Sequence, residues 1–344
     1  MEGRLVVKLL GKLSVVMWVL LGTLTWVQVA EAGPIKRTFC VFDPIGANGP
    51  LFSVMKSVKP AALSWGVELT MRAYTDEKIA AEDFKAGQCD SVLLTGTRAR
   101  AFNKFTGTLE ALGAIKNEKQ MRILMETLNQ PKAGPLLTNG DYEVVGILPA
   151  GAIYLFTRDR SIDTVEKLQG KKIATLDYDN AAVTMVRHVG ASVVGASSAS
   201  FAGLFNNGSV DICYAPAVAY TPLELYKGLS PNGGVFDYVI GQMNFQIIIH
   251  KSRFPEDFGN QMRSYTNGRL DEAFDIVHKA RAEINPKFWM EPTPAQVASY
   301  DKMLREVRIS LRDAGTYDGK ALHLMKLIRC KTDPSRGECA EQRE

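Results

Sequence analysis

Few residues in this sequence have types and spacing that suggest chemistry. Asp177-Tyr178-Asp179 places two carboxylates on one face if the chain is extended there, which suits a cation or a hydroxylated solute. Gly170-Lys171-Lys172 has the composition of a phosphate cradle. Such a cradle needs a strand, a glycine-rich turn and then a helix whose first amides face the anion. Here the order is reversed. Asp163 or Thr164 can cap a short helix over Val165 to Gln169, Gly170 suits the left-handed residue that ends it, and "KIATL" follows as a strand. The two lysines therefore mark an α-to-β joint. His188, His250, His278 and His323 are scattered, with neither H-E-x-x-H nor paired ligand spacing, and no Gly-x-Ser-x-Gly elbow occurs. Cys213 has no evident His partner and reads as a small core residue. No catalytic residue, metal site or cofactor is expected. The sharpest candidate is Thr95 to Arg98. Thr97 can cap the next helix and leave the amides of Arg98 and its neighbours free, and the Arg98 guanidinium stands beside them. Together they would hold a carboxylate. The other reading leaves Arg98 and Arg100 on a solvated helix face.

The elements that would position these groups can be followed along the chain. Arg4, Lys8 and Lys12 precede an uncharged, mostly apolar run from Leu13 to Ala30, and Ala30-Glu31-Ala32 is a small-residue cleavage pattern. Residues 1–32 therefore read as a secretory signal peptide, and export to the periplasm follows. An uncleaved anchor is the alternative, because the run reaches the lower edge of a membrane span. The 344-residue chain is 46% hydrophobic and 23% charged, with a formal net charge of +4. It is long enough for two domains with their own cores, and its charge points to neither nucleic acid nor a polyanionic surface. "RTFCVF", "VELTMRAY" and "CDSVLLT" read as strands separated by helical segments, a β-α-β-α-β order that implies a parallel sheet. "KIATLDYD", "SVVGA" and "VDICYAP" form a second such unit. Two long β segments, "YEVVGILPAGAIYLFTRD" and "VFDYVIGQMNFQIIIHKS", flank it, and the remainder, from Pro255, is helical. Five cysteines in an exported chain suggest disulfides with one thiol left over. Cys330 and Cys339 bracket a polar Pro- and Gly-containing segment and would staple the tail. Cys40 and Cys89 can pair only if their strands are neighbours.

The order of these motifs resembles the periplasmic solute receptors of TRAP-type transporters, whose C4-dicarboxylate receptors are the familiar members. The likeness is carried by "SIDTVEKLQGKKIATL", by "MVRHVGASVV", by "SFAGLFNNGSVDICYAP" and by "QIIIHKSRFPEDFGNQM". It implies an α/β, two-domain periplasmic-binding-protein-like fold (type II-like). Each domain would be a mostly parallel sheet flanked by helices, with a helical C-terminal region. Domain 1 would combine residues 33–148 and 248–344, and domain 2 would span 149–247. It also implies a monomeric receptor that captures a small polar, carboxylate-bearing solute and delivers it to an inner-membrane transporter. The sequence departs from the family in three places. Ala174 stands where the family commonly has an Arg that pairs with the substrate carboxylate. Ile212 replaces a Gly, and Cys213-Tyr214 lacks the usual Asn or Gln.

In two-domain receptors of this type the solute lies between domains, at the carboxyl ends of strands. Four loops qualify, and they supply Asp43 and Asn48, then Thr95, Thr97 and Arg98, then Asp177, Tyr178 and Asn180, then Tyr214 and Tyr220. The ligand's charge stays open between two arrangements. Arg98 with the helix amides would select an anion, whereas Asp43 and Asp177 facing the ligand would select a cation or a hydroxylated neutral. Pro149, Gly151 and Gly241 are candidate hinges. The competing function classes are a receptor fold that binds an envelope protein partner, through its helical end, and a periplasmic enzyme.

Overall fold

In the computed structural model, residues 33–341 and 343–344 are described; the expected signal peptide lies outside them. Ten strands form one sheet: β1 (Ile35–Phe42), β2 (Val67–Tyr74), β3 (Ser91–Thr95), β4 (Thr138–Asn139), β5 (Tyr142–Thr157), β6 (Lys172–Leu176), β7 (Ser192–Ala196), β8 (Ile212–Pro216), β9 (Gly234–His250) and β10 (Trp289–Met290). Their order is β2-β1-β3-β9-β5-β8-β6-β7, with β10 on β9 and β4 on β5. One half, β2-β1-β3, is parallel, and so is the other, β8-β6-β7. Between them run β5 and β9, antiparallel to each other and to β3 and β8. The two long β segments of the sequence are thus the strands that pass through both halves.

The chemistry of the segments accounts for this arrangement. β3, "SVLLT", is buried at every position, as a central strand covered on both faces must be. β2 lies at the sheet edge and alternates, with Val67 and Leu69 buried and Glu68 and Thr70 exposed. β5 breaks register at Val144/Gly146, Pro149/Gly151 and Ile153/Leu155. Pro149 interrupts the ladder there, and Gly151 adopts φ +97°, where an added Cβ would also meet Val277 Cγ1 at 2.7 Å. The "GKK" joint is as read, with Gly170 at φ +73°, except that the expected helix over Val165 to Gln169 is a single 3₁₀ turn, Glu166–Leu168. Five residues between a cap and a glycine are too few for a stable α-helix.

The helical end consists of Phe258–Asn267, Leu270–Glu283, Pro294–Asp313 and Gly319–Thr332. Thr293 opens the third of these with a reciprocal capping box to Gln296. Disulfides join Cys40 to Cys89 and Cys330 to Cys339, with Cα separations of 5.9 and 5.6 Å. The first pairing follows from topology: β1 and β3 are adjacent, and Cys40 lies opposite Val92. Cys213 is a buried free thiol, whose pKa burial pushes well above the ordinary value. The C-terminal tail is held by a buried ionic cluster. Arg329 donates to Glu338 Oε1 at 2.8 Å, to Glu338 Oε2 at 2.9 Å, to the Ala114 carbonyl at 2.7 Å, and to Glu344.

Candidate functional site

The loops at the carboxyl ends of β1, β3, β6 and β8 converge on a cavity of about 490 Å³. Its walls are mostly apolar. β5 supplies Leu148 to Ala150 and Ile153, β9 supplies Met243 and Phe245, and the helix Leu270–Glu283 closes one side with Ala273, Ile276, Val277 and Ala280. Of the ten residues singled out in the sequence, Asp43, Thr95, Thr97, Tyr178 and Tyr214 line the cavity.

The other five are placed elsewhere, for identifiable reasons. Asn48 is exposed in the 3₁₀ turn Gly46–Asn48. Asp177 and Asn180 are exposed too, while Asp179 between them is buried as the N-cap of Asn180–His188, accepting from the Ala182 amide at 3.2 Å. The two carboxylates of Asp177-Tyr178-Asp179 therefore do not share a face. Tyr220 is buried against Phe156, with ring centroids 6.4 Å apart. Arg98 lies over the Tyr178 ring, 3.2 Å from guanidinium carbon to centroid, and its Nε is 3.9 Å from Glu77 Oε2.

The helix start after β3 also differs from the expectation. Its N-cap is Thr95 rather than Thr97, with the Arg98 amide donating to Thr95 Oγ1 at 3.3 Å. The amides are not free. That of Thr95 donates to Glu77 Oε1 at 2.7 Å, and that of Gly96 to Glu110 Oε1 at 3.1 Å. Two internal carboxylates thus occupy the place assigned to a ligand carboxylate. Glu110 also accepts from the Asn244 amide at 2.8 Å and from the Thr97 hydroxyl at 2.5 Å. An added Cβ at residue 96 would lie 2.8 Å from both Asn244 and Glu110, so Gly96 is what lets these groups meet.

Sequence reasoning missed Glu77, Glu110 and the helix carrying Lys279 and Glu283, all of which line the cavity; Asp179, weighed there only as half of a carboxylate pair with Asp177, lines it as well. Glu110 did leave a signal, as a lone carboxyl within the otherwise uncharged segment Phe105 to Ile115. Burial raises its pKa to about 7, against the opposing pull of the Thr97 and Asn244 hydrogen bonds and of Arg100. Burial likewise raises Asp179, and it lifts Tyr178 and Tyr214 well above the usual phenol value. Ala174, a residue of β6, is fully buried in the hydrophobic core.

Comparison with known proteins adds to this geometry. A family model described as "Solute-binding protein AdeT 1/2" matches residues 54–344. A curated relative from Acinetobacter baumannii, "Probable solute-binding protein AdeT1", is 41% identical over 300 residues, covering 87% of this chain and 99% of the relative. Among solved structures, a TRAP periplasmic solute binding protein from Sulfitobacter sp. NAS-14.1 with bound β-D-galacturonate superposes with a TM-score of 0.69 at 13% identity. It spans 86% of this chain and 99% of its own. One from Desulfovibrio salexigens with bound orotic acid gives 0.66 at 12% identity, with the same coverage. Likeness at this level shows the fold, the two-domain architecture of TRAP receptors. Among the described residues, no helix is long and apolar enough to cross a membrane.

Proposed function

The chain belongs to the AdeT 1/2 solute-binding protein family, and from that premise we propose that it is a periplasmic receptor that encloses one solute between two lobes and hands it to an inner-membrane transporter. The observation that carries this reading is the cavity of about 490 Å³ at the carboxyl ends of strands from both half-sheets. It is of ligand size, lined mainly by apolar groups, and has a few convergent polar side chains. The lobes would be residues 33–148 with 248–344, and 149–247, the first beginning where the signal peptide ends.

Contacts across the cavity mouth suit a closing motion. The Tyr178 hydroxyl, just past β6, donates to Glu77 Oε2 at 2.5 Å, and Arg98, just past β3, covers the same ring. The Glu77 amide reaches Ser198 Oγ at 3.4 Å. Movement would concentrate where β5 already departs from regular pairing, at Pro149 and Gly151. Small-angle scattering of the mature chain tests the motion. The radius of gyration is expected to fall when the protein is saturated with the solute that co-purifies with it. An unchanged radius at saturation would contradict closure.

A further inference from the structure

We propose that the solute held in this cavity has an apolar body and a cationic, N–H-donating head group such as a protonated amine. This rests on the receptor reading above and specifies its ligand. Four hydroxyls facing the cavity already donate to internal carboxylates: Thr97 to Glu110, Tyr178 to Glu77, Tyr214 to Asp179 at 3.4 Å, and Thr221 to Glu283. The amides of Thr95 and Gly96 are taken in the same way. Among the described residues, undonated protons at the wall are left to the Thr95 and Ser198 hydroxyls, which accept backbone amides, and to Lys279, while five carboxylates line it.

Charge points in the same direction. Asp43, Glu77, Glu110, Asp179 and Glu283 line the cavity, against a single cation, Lys279. Arg98 is outside the lining, stacked on the Tyr178 ring with its buried Nε 3.9 Å from Glu77 and without a hydrogen-bond partner, and Arg100 faces Glu110 and Asp179 from a separate small void of about 30 Å³ behind them. A carboxylate entering this space would meet Lys279 alone among the lining cations and would have to be desolvated beside like charges, whereas a cation would be desolvated beside opposite ones. Glu110 and Asp179 are the pair best placed to receive it. Both are buried with raised pKa values, and both line the cavity and the void behind it. The remaining wall, including Leu51, Val54, Ile153, Phe201, Val277 and Ala280, offers only apolar contact, so the rest of the solute is apolar. The galacturonate and orotate of the fold neighbours differ from such a ligand in both respects.

Three probes of equal chain length separate head-group charge from apolar burial: octylamine, octanol and octanoate, each titrated calorimetrically against the full mature chain at pH 7 below micelle formation. Octylammonium is expected to bind at least about tenfold more tightly than octanoate, the scale of one charged hydrogen bond. Glu110→Gln and Asp179→Asn are each expected to weaken octylammonium about tenfold and to leave octanol within about twofold. Asn remains a competent N-cap, so Asp179→Asn keeps the test open should Glu110→Gln fail to fold. Octanoate binding as tightly as octylammonium, or no octyl probe binding at all, overturns the inference. So does an amine preference that survives both substitutions. A chain that carries a co-purified solute yet binds none of the three remains a receptor and loses only this ligand class; a chain with neither loses both readings.

Discussion

Glu110→Gln should stabilise the ligand-free protein at pH 8 and leave it nearly unchanged at pH 4.5. Glu110 has a folded-state pKa of about 7, raised by burial from an ordinary value of 4.5. Between those values the folded chain keeps a proton that the unfolded chain has lost. Stability from this group is therefore complete below pH 4.5 and is lost as pH rises through about 7. Glutamine is neutral throughout. Its oxygen can accept from the Gly96 and Asn244 amides, and its amide can donate to a Thr97 hydroxyl that reverses its role. The difference between variant and wild type should grow to about 3 kcal/mol by pH 8, the free-energy equivalent of a shift of this size. Arg100 and Asp179, the charged groups facing Glu110, are common to both proteins, so their own titration largely cancels in the difference. Urea unfolding at pH 4.5, 6 and 8 measures it. A variant destabilised equally at all three pH values would show that the carboxylate is ionised and well paired in the native state. The same substitution weakens the amine probe, so a group that costs stability is retained where it would serve binding.

The second large effect lies far from the cavity. Arg329 is completely buried and pairs with Glu338 and Glu344, which are themselves buried. Glu338 is held at about 2: burial alone would raise its pKa, but Arg329 and Arg336 outweigh that. Arg329→Ala leaves two desolvated carboxylates without their main partner and should cost about 3–5 kcal/mol at neutral pH. Arg269→Ala removes an exposed pair with Glu272 and should cost under about 0.5 kcal/mol. Thermal and urea unfolding of the two variants separates a buried ionic clamp from surface pairing. A loss below about 1 kcal/mol for Arg329→Ala would mean that the tail is not anchored by this cluster.

Much of the architecture was legible because it rests on local periodicity. β2, β3, β6, β7 and β8 fall within the segments read as strands, β1 begins two residues before "RTFCVF", and the long runs around Pro149 and Gly241 are the two strands that traverse the sheet. The left-handed Gly170 and the bulge at Pro149 and Gly151 were visible as breaks in pattern. The Cys40–Cys89 pairing was conditional on strand order, which no local pattern fixes. The site was less legible for the same reason. Position at a strand's carboxyl end places Asp43, Thr95, Thr97, Tyr178 and Tyr214 at the cavity wall. It could not reveal that Glu77 and Glu110, 18 and 14 residues from their amide donors, reach the Thr95–Gly96 turn first. Nor could it show that Tyr178 would draw Arg98 out of the wall, a contact between side chains 80 residues apart in sequence. The sequence assigns the helix Leu270–Glu283 only to the helical end of the chain, and the tertiary fold alone places Ile276, Val277 and Ala280 against the cavity.

The central claim, that one solute occupies the cavity of about 490 Å³, is tested most directly by native mass spectrometry of the gently purified mature chain beside its Ala280→Phe variant. Ala280 is only partly buried and lines the cavity, so phenylalanine there fills ligand space without disturbing a closed core. The wild type is expected to carry one added small-molecule mass that denaturation releases, and Ala280→Phe to run at the bare polypeptide mass. The same added mass on both proteins would place the solute outside this cavity, and its absence from the wild type, even after incubation with total periplasmic metabolites, would contradict the receptor function itself.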